Sequence, residues 1–128
     1  MTSLDDLKYF TRKELACQHC GKEGMDPQFM GFVEELREEL GFPFRVTSAY
    51  RCPDHPIEQK KSAPGTHTTG QAIDINVYGD QGVAFAQLAL AKGIQRIGFA
   101  QKGPNNKRFI HIDDAQEERF TKPTMWSY

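Results

Sequence analysis

Apolar residues recur along the chain with two periods, and each period marks a different kind of element. Met30, Val33, Leu36 and Leu40 repeat at helical spacing. Asp26-Pro27 ahead of them has the form of an N-cap followed by a first-turn proline, and Gly41 stands where a helix stops. The pattern predicts a helix over residues 27–40. A shorter helix is expected from Thr11-Arg12-Lys13-Glu14, which has the form of a capping box. Asp80 is expected to cap a third helix, running to Lys92 and closed by Gly93. Period two governs the strands. Phe44 to Tyr50 alternates after Pro43 and predicts one strand. Ala72 to Val77 predicts a second, with Ile73, Ile75 and Val77 on one face and Asp74 and Asn76 on the other. Ile97 to Ala100 and Arg108 to Asp113 flank Gly103-Pro104-Asn105-Asn106, the pattern of a hairpin. Gly21 to Gly24 and residues 51–66, with Pro53, Pro56, Pro64 and Gly65, read as loops. The tail after Ala115 is polar until Trp126 and Tyr128, which are expected to dock back on the body. Together these elements predict an α+β fold, a small, mainly antiparallel sheet flanked by helices.

Composition narrows the partners. A chain of 128 residues suits one domain, taken as residues 1–128, with a core that needs no disulfides. Sixteen basic residues against seventeen acidic give a formal net charge of −1. That balance offers no electrostatic footprint for nucleic acid or a membrane surface, and no apolar run has the length of a span. Met1 to Tyr9 lacks a basic-then-apolar pattern, so synthesis in the cytoplasm without a signal peptide is expected. A monomer is expected as well.

The candidate chemistry rests on two of the four histidines. Asp74 follows His67 by seven residues. On one strand they would stand about 20 Å apart on opposite faces, and on one helix about 10 Å apart. They converge only if the chain bends between them, and Gly70 permits a bend. Asp74, on the polar face of an apolar strand, should be half-buried and needs a partner. In Phe109-Ile110-His111-Ile112-Asp113 the isoleucines face one way, turning His111 and Asp113 together to the other. If these polar faces meet, two imidazoles and one carboxylate with an open position make a catalytic zinc site. The blander alternative is a satisfied core histidine and a capping aspartate. Non-haem iron oxygenases use the same ligand types, but place the close His-x-Asp ahead of a distant histidine. No histidine follows His111-x-Asp113.

The three cysteines form a second constellation. Cys17-x-x-Cys20 with Cys52-x-x-His55 has the spacing of a Cys₃His structural zinc site, and His19 could replace His55. A Cys17–Cys20 or Cys20–Cys52 disulfide and three reduced thiols are the open alternatives.

Ser48-Ala49-Tyr50-Arg51, His67-x-x-Gly70-x-Ala72-x-Asp74 and Phe109-Ile110-His111-Ile112-Asp113 together resemble the zinc D-Ala-D-Ala carboxypeptidase family. That family also holds D-alanyl-D-alanine dipeptidases and L-Ala-D-Glu endopeptidases of phages, and the hedgehog signalling domain shares its fold. The likeness is nearest to the short phage and prophage endolysin-like form, whose order Glu14, Cys17, Cys20, Gly21, Arg51, Cys52 and Pro53 match. It covers roughly residues 8–115. The resemblance implies zinc held by His67, Asp74 and His111, and Arg51 on the scissile carbonyl oxygen. It also implies a substrate among peptidoglycan stem peptides, reached after release from the cell or as a virion component. Two positions depart from the family. Gly65 replaces a serine two residues before the first histidine. Arg108 stands where the dipeptidase branch has its catalytic glutamate, and arginine is no general base. Asp113 is the nearest substitute, either as base or as a partner that orients a ligand imidazole. A non-catalytic, zinc-bearing wall-binding or virion module is the alternative function that Arg108 leaves open.

Overall fold

The capping signals build the helices expected of them. The computed structural model describes residues 4–128, so the start of the stretch read for a signal, residues 1–3, lies outside them. Thr11 and Glu14 close a reciprocal capping box on α1 (Arg12–Leu15). Asp26 accepts the Phe29 N–H and opens α2 (Pro27–Leu40), which ends at Gly41 with φ +75°. Two further helices are α3 (Pro56–Gln59) and α4 (Gly79–Ala91). The Asp80 cap is corrected: Tyr78 occupies the N-cap without a side-chain bond, and Asp80 lies inside the first turn. Its carboxylate there still complements the positive end of the helix dipole.

Five strands, β1 (Val46–Ser48), β2 (Ala72–Ile75), β3 (Arg96–Ala100), β4 (Phe109–Asp113) and β5 (Thr124–Ser127), form one sheet ordered β1-β2-β4-β3-β5. All neighbours run antiparallel except β3 and β5. The expected α+β fold with a mainly antiparallel sheet is the observed one. Three local details differ from the expected ones. The first strand spans only Val46–Ser48, and its register against β2 shifts between those two residues. The stretch 51–66 is not all loop: His55 caps α3 through Nδ1, which accepts the Ile57 N–H, and Pro56 fills the first turn. The docked tail is a strand, β5, whose alternation is muted because every second residue is only half-buried.

One face of the sheet is apolar. Ile73, Ile75, Ile97, Ile110 and Ile112 are buried there with Met30, Val33 and Leu36 of α2 and Phe85 of α4. Each fully buried side chain of this size contributes roughly 2 kcal/mol of transfer free energy. The opposite face is where the polar residues of the same strands must go. Among the described residues, no helix is long and apolar enough to cross a membrane.

Candidate active site

Pairing lays a single row of residues across all five strands: Ser48, Asp74, His111, Gly98 and Trp126. Asp74 and His111 are direct cross-strand partners, so period-two alternation brings both to the polar face together. His67 reaches the same spot from a 3₁₀ turn over Thr66–Thr69 that ends at Gly70 with φ +78°. A Cβ at Gly70 would collide with the Gly24 carbonyl oxygen, so this bend requires glycine for both conformation and space. The Gly98 position needs glycine for space alone, since a Cβ there would strike the Trp126 indole. The indole is thereby free to lie against His111, ring centroids 5.3 Å apart.

The potential donor atoms of His67, Asp74 and His111 all lie within 4.8 Å of one another, and all three residues are buried. Asp74 Oδ1 is 3.3 Å from His67 Nε2 and 2.8 Å from His111 Nδ1. Asp74 was expected half-buried. Its exposure is 4%, because the opposing imidazole supplies the partner that burial demands. Burial pushes the Asp74 carboxyl up, but hydrogen bonds from His111 and His67 outweigh it and hold the group well below the usual range. Burial drives His67 towards its neutral form. Burial opposes charge on His111 too, but Asp113 and Asp74 on either side of its ring prevail and raise its pKa.

The remaining ring nitrogens are occupied. His67 Nδ1 lies 2.6 Å from the Ala49 carbonyl oxygen, which can only accept, so that nitrogen carries the proton and Nε2 presents its lone pair to the cluster. His111 Nε2 lies 2.6 Å from Asp113 Oδ2. Such outward bonds to a carbonyl and a carboxylate are what metal-bound imidazoles make. A divalent cation would replace the proton that His111 Nδ1 shares with Asp74. The donor set therefore fits a His₂Asp metal site.

Arg51 stands beside this cluster, with its Nη2 3.9 Å from Asp74 Oδ2. Its Nε donates to Ser48 Oγ at 3.1 Å and its Nη1 to Glu58 Oε2 at 3.3 Å. Asp74 and Arg51 both line a cleft of about 430 Å³ that also takes in Gln18, Arg45, Thr47 and Lys107. Asp113 is not among the lining residues. It is 1% exposed, and its second oxygen, Oδ1, accepts from Arg96 Nε at 2.8 Å and from the Ala115 N–H. Arg108 points into the hairpin turn, where its Nε donates to the Gly103 carbonyl oxygen.

Sequence reasoning missed Glu58. This carboxylate is 4% exposed and accepts from the Gly65 N–H, Lys61 and Arg51. Burial would raise its pKa, but those three donors lower it. Gly65, at the serine position of the family, thus contributes its backbone to holding the partner of Arg51. Nothing in a charged, proline-rich stretch marks one glutamate for burial. Trp126 and Arg96 were missed as site residues because only the sheet order places them beside His111 and Asp113.

The cysteines also converge. The Sγ atoms of Cys17, Cys20 and Cys52 lie within 4.8 Å of one another, and His19 Nδ1 is 3.8 Å from Cys52 Sγ. His55, the other candidate, has its Nδ1 engaged as the cap of α3 and its ring 5.8 Å from that of His19.

A buried His₂Asp cluster on a sheet face, whose Asp74 shares a cleft wall with an arginine, fits a metal-dependent hydrolase. A family model described as peptidase M15 matches residues 8–113, which include every member of that cluster. The chain belongs to the peptidase M15 family, the zinc D-Ala-D-Ala carboxypeptidase-like peptidases, and is a zinc metallopeptidase acting on a peptide. Comparison with curated proteins found no match.

Proposed function

We propose that the chain hydrolyses peptide bonds in the stem peptides of peptidoglycan, as a D,D-carboxypeptidase or L-Ala-D-Glu endopeptidase, in the setting of a phage or prophage lysin. The observation that carries this reading is the His67–Asp74–His111 cluster, whose Asp74 lies 3.9 Å from Arg51 and lines one cleft with it. His67, Asp74 and His111 would hold the zinc, which when bound supplies a Lewis acid and a water acidified towards neutrality. Arg51 serves the carbonyl oxygen. Ser48 and Glu58 fix its guanidinium at two nitrogens, leaving Nη2, 3.9 Å from Asp74 Oδ2, to stabilise negative charge as it develops. Arg45 and Lys107 add two cations to the cleft wall, which suits stem peptides that carry free carboxylates. On the lysin reading the protein meets its substrate after release from the cell or as a virion component.

The test is digestion of purified peptidoglycan followed by mass spectrometry of the muropeptides. Release of D-alanine identifies the carboxypeptidase, and a new amino terminus within the stem identifies the endopeptidase. Protein that pellets with sacculi and leaves every muropeptide intact would make it a wall-binding module instead.

Asp113 acts in this reading as a positioning residue for His111. Both of its oxygens are engaged, one by the imidazole and one by Arg96, and neither belongs to the cleft wall. Asp113→Asn should weaken zinc binding by roughly ten- to a hundredfold, with activity restored by excess zinc. Competition with a chelator of known affinity measures this. Wild-type zinc affinity with turnover lowered about a hundredfold would assign Asp113 to proton transfer.

A further inference from the structure

The amino-terminal segment between Cys17 and Met25 has no regular secondary structure, and its only buried residues are its two ends. It nevertheless holds a defined turn. The Gly21 N–H donates to the Cys17 carbonyl at 2.7 Å, and the Cys17 N–H to the Lys22 carbonyl at 2.9 Å. Gly21, directly after the second cysteine, has φ +75°. This geometry folds Cys17 and Cys20 towards one point. Cys52 meets them from the loop after β1, and its N–H donates to Cys17 Sγ at 3.3 Å. Donation from a backbone N–H favours a thiolate over a thiol, because the sulfur must accept.

We propose that Cys17, Cys20, Cys52 and His19 bind a second zinc ion, a structural one, distinct from the ion of the His67–Asp74–His111 site. In a tetrahedral zinc site with Zn–S near 2.3 Å and Zn–N near 2.0–2.1 Å, ligand atoms stand about 3.5–3.8 Å apart. The three sulfurs, all within 4.8 Å of one another, need only a small contraction to meet that spacing, and His19 Nδ1 already has it against Cys52 Sγ. His19 is the fourth ligand in place of His55 because its Nδ1 already stands beside Cys52 Sγ, whereas His55 has only Nε2 left, its Nδ1 accepting the Ile57 N–H. The three cysteines cluster without it, so the His19 ring turns towards Cys17 and Cys20 on binding. A disulfide between any two of these sulfurs would strand the third. On binding, each thiol loses its proton to solvent and no electrons move.

The ion would do more than cross-link. Gln18, between the two amino-terminal cysteines, donates to the Thr47 carbonyl at 3.1 Å and lines the cleft. Arg51 adjoins Cys52 in the chain. One structural metal thus fixes two walls of the cleft, although none of its ligands lines it.

Cobalt substitution of the whole chain tests this independently of the catalytic assignment, because His67, Asp74 and His111 contain no sulfur. Metal-free, reduced protein titrated with cobalt(II) without oxygen should develop near-ultraviolet thiolate-to-cobalt charge-transfer absorption and the strong visible bands of a tetrahedral ion. That absorption should persist in His67→Ala and disappear in Cys17→Ser/Cys20→Ser. His19→Ala should weaken cobalt binding at the sulfur site by tenfold or more. As-purified protein should hold two zinc ions per chain by elemental analysis, falling to one in His67→Ala. Absence of the charge-transfer absorption in the reduced wild-type chain would overturn the site. So would an intact mass lacking two hydrogens in protein purified anaerobically, which means a disulfide. Cobalt affinity unchanged by His19→Ala would overturn the choice of fourth ligand.

Discussion

Replacing His111 with alanine should remove zinc and activity together. The imidazole is one of two nitrogen donors in the cluster, and its loss leaves Asp74 buried with only His67 and a distant guanidinium as partners. Two ligands hold zinc far more weakly than three, so the ion should be absent at ordinary metal concentrations. Lewis-acid activation of a carbonyl and a water supplies several kcal/mol of transition-state stabilisation, which corresponds to roughly a thousandfold or more in rate. His67→Ala should behave alike. Zinc content by elemental analysis, alongside peptide release from peptidoglycan, measures both losses. Full-rate hydrolysis by metal-free protein would refute the assignment of the cluster.

Arg51→Ala should keep the metal and lose the rate. The guanidinium contributes no donor atom to the cluster, so zinc content should stay at the wild-type level. Removing one preorganised donor to a developing oxyanion costs on the order of a hundred- to a thousandfold in turnover. Arg51→Lys should recover little, because a single ammonium cannot serve Ser48, Glu58 and the cleft at once. The control is thermal unfolding, since Glu58 retains Lys61 and the Gly65 N–H when Arg51 is cut back. A rate unchanged in a folded, zinc-loaded Arg51→Ala protein would leave this residue only its ion pair with the buried Glu58.

How legible each part was depends on the range of the forces that place it. α2 could be read to the residue because its limits are local: Asp26 caps it, Pro27 starts it and Gly41 takes the left-handed turn that ends it. The side that His111 faces was legible from alternation alone, and the bend at Gly70 from the impossibility of bringing His67 to Asp74 otherwise. Asp80 misled because an acidic residue suits the first turn as well as the cap, and the chain chose the turn. β5 was not legible at all as a strand. Thr124–Ser127 is half exposed, so its place rests on hydrogen bonds to β3 that composition does not encode. Glu58 was hidden for a related reason: its burial depends on donors from Arg51, Lys61 and Gly65 that only the folded loop assembles.

The indole lying over Gly98 belongs to the chain's single tryptophan. Its ring sits 5.3 Å from the His111 imidazole and within cation–π reach of Arg96, whose guanidinium carbon is 5.1 Å from the ring centre. Emission from the whole molecule under indole-selective excitation therefore comes from one place, on the shoulder of the His67–Asp74–His111 cluster. Ion arrival and ligand protonation at the cluster should each change the field and the quenchers around that fluorophore. Metal titration of the proposed zinc site should therefore be readable from intrinsic emission, with neither label nor substrate.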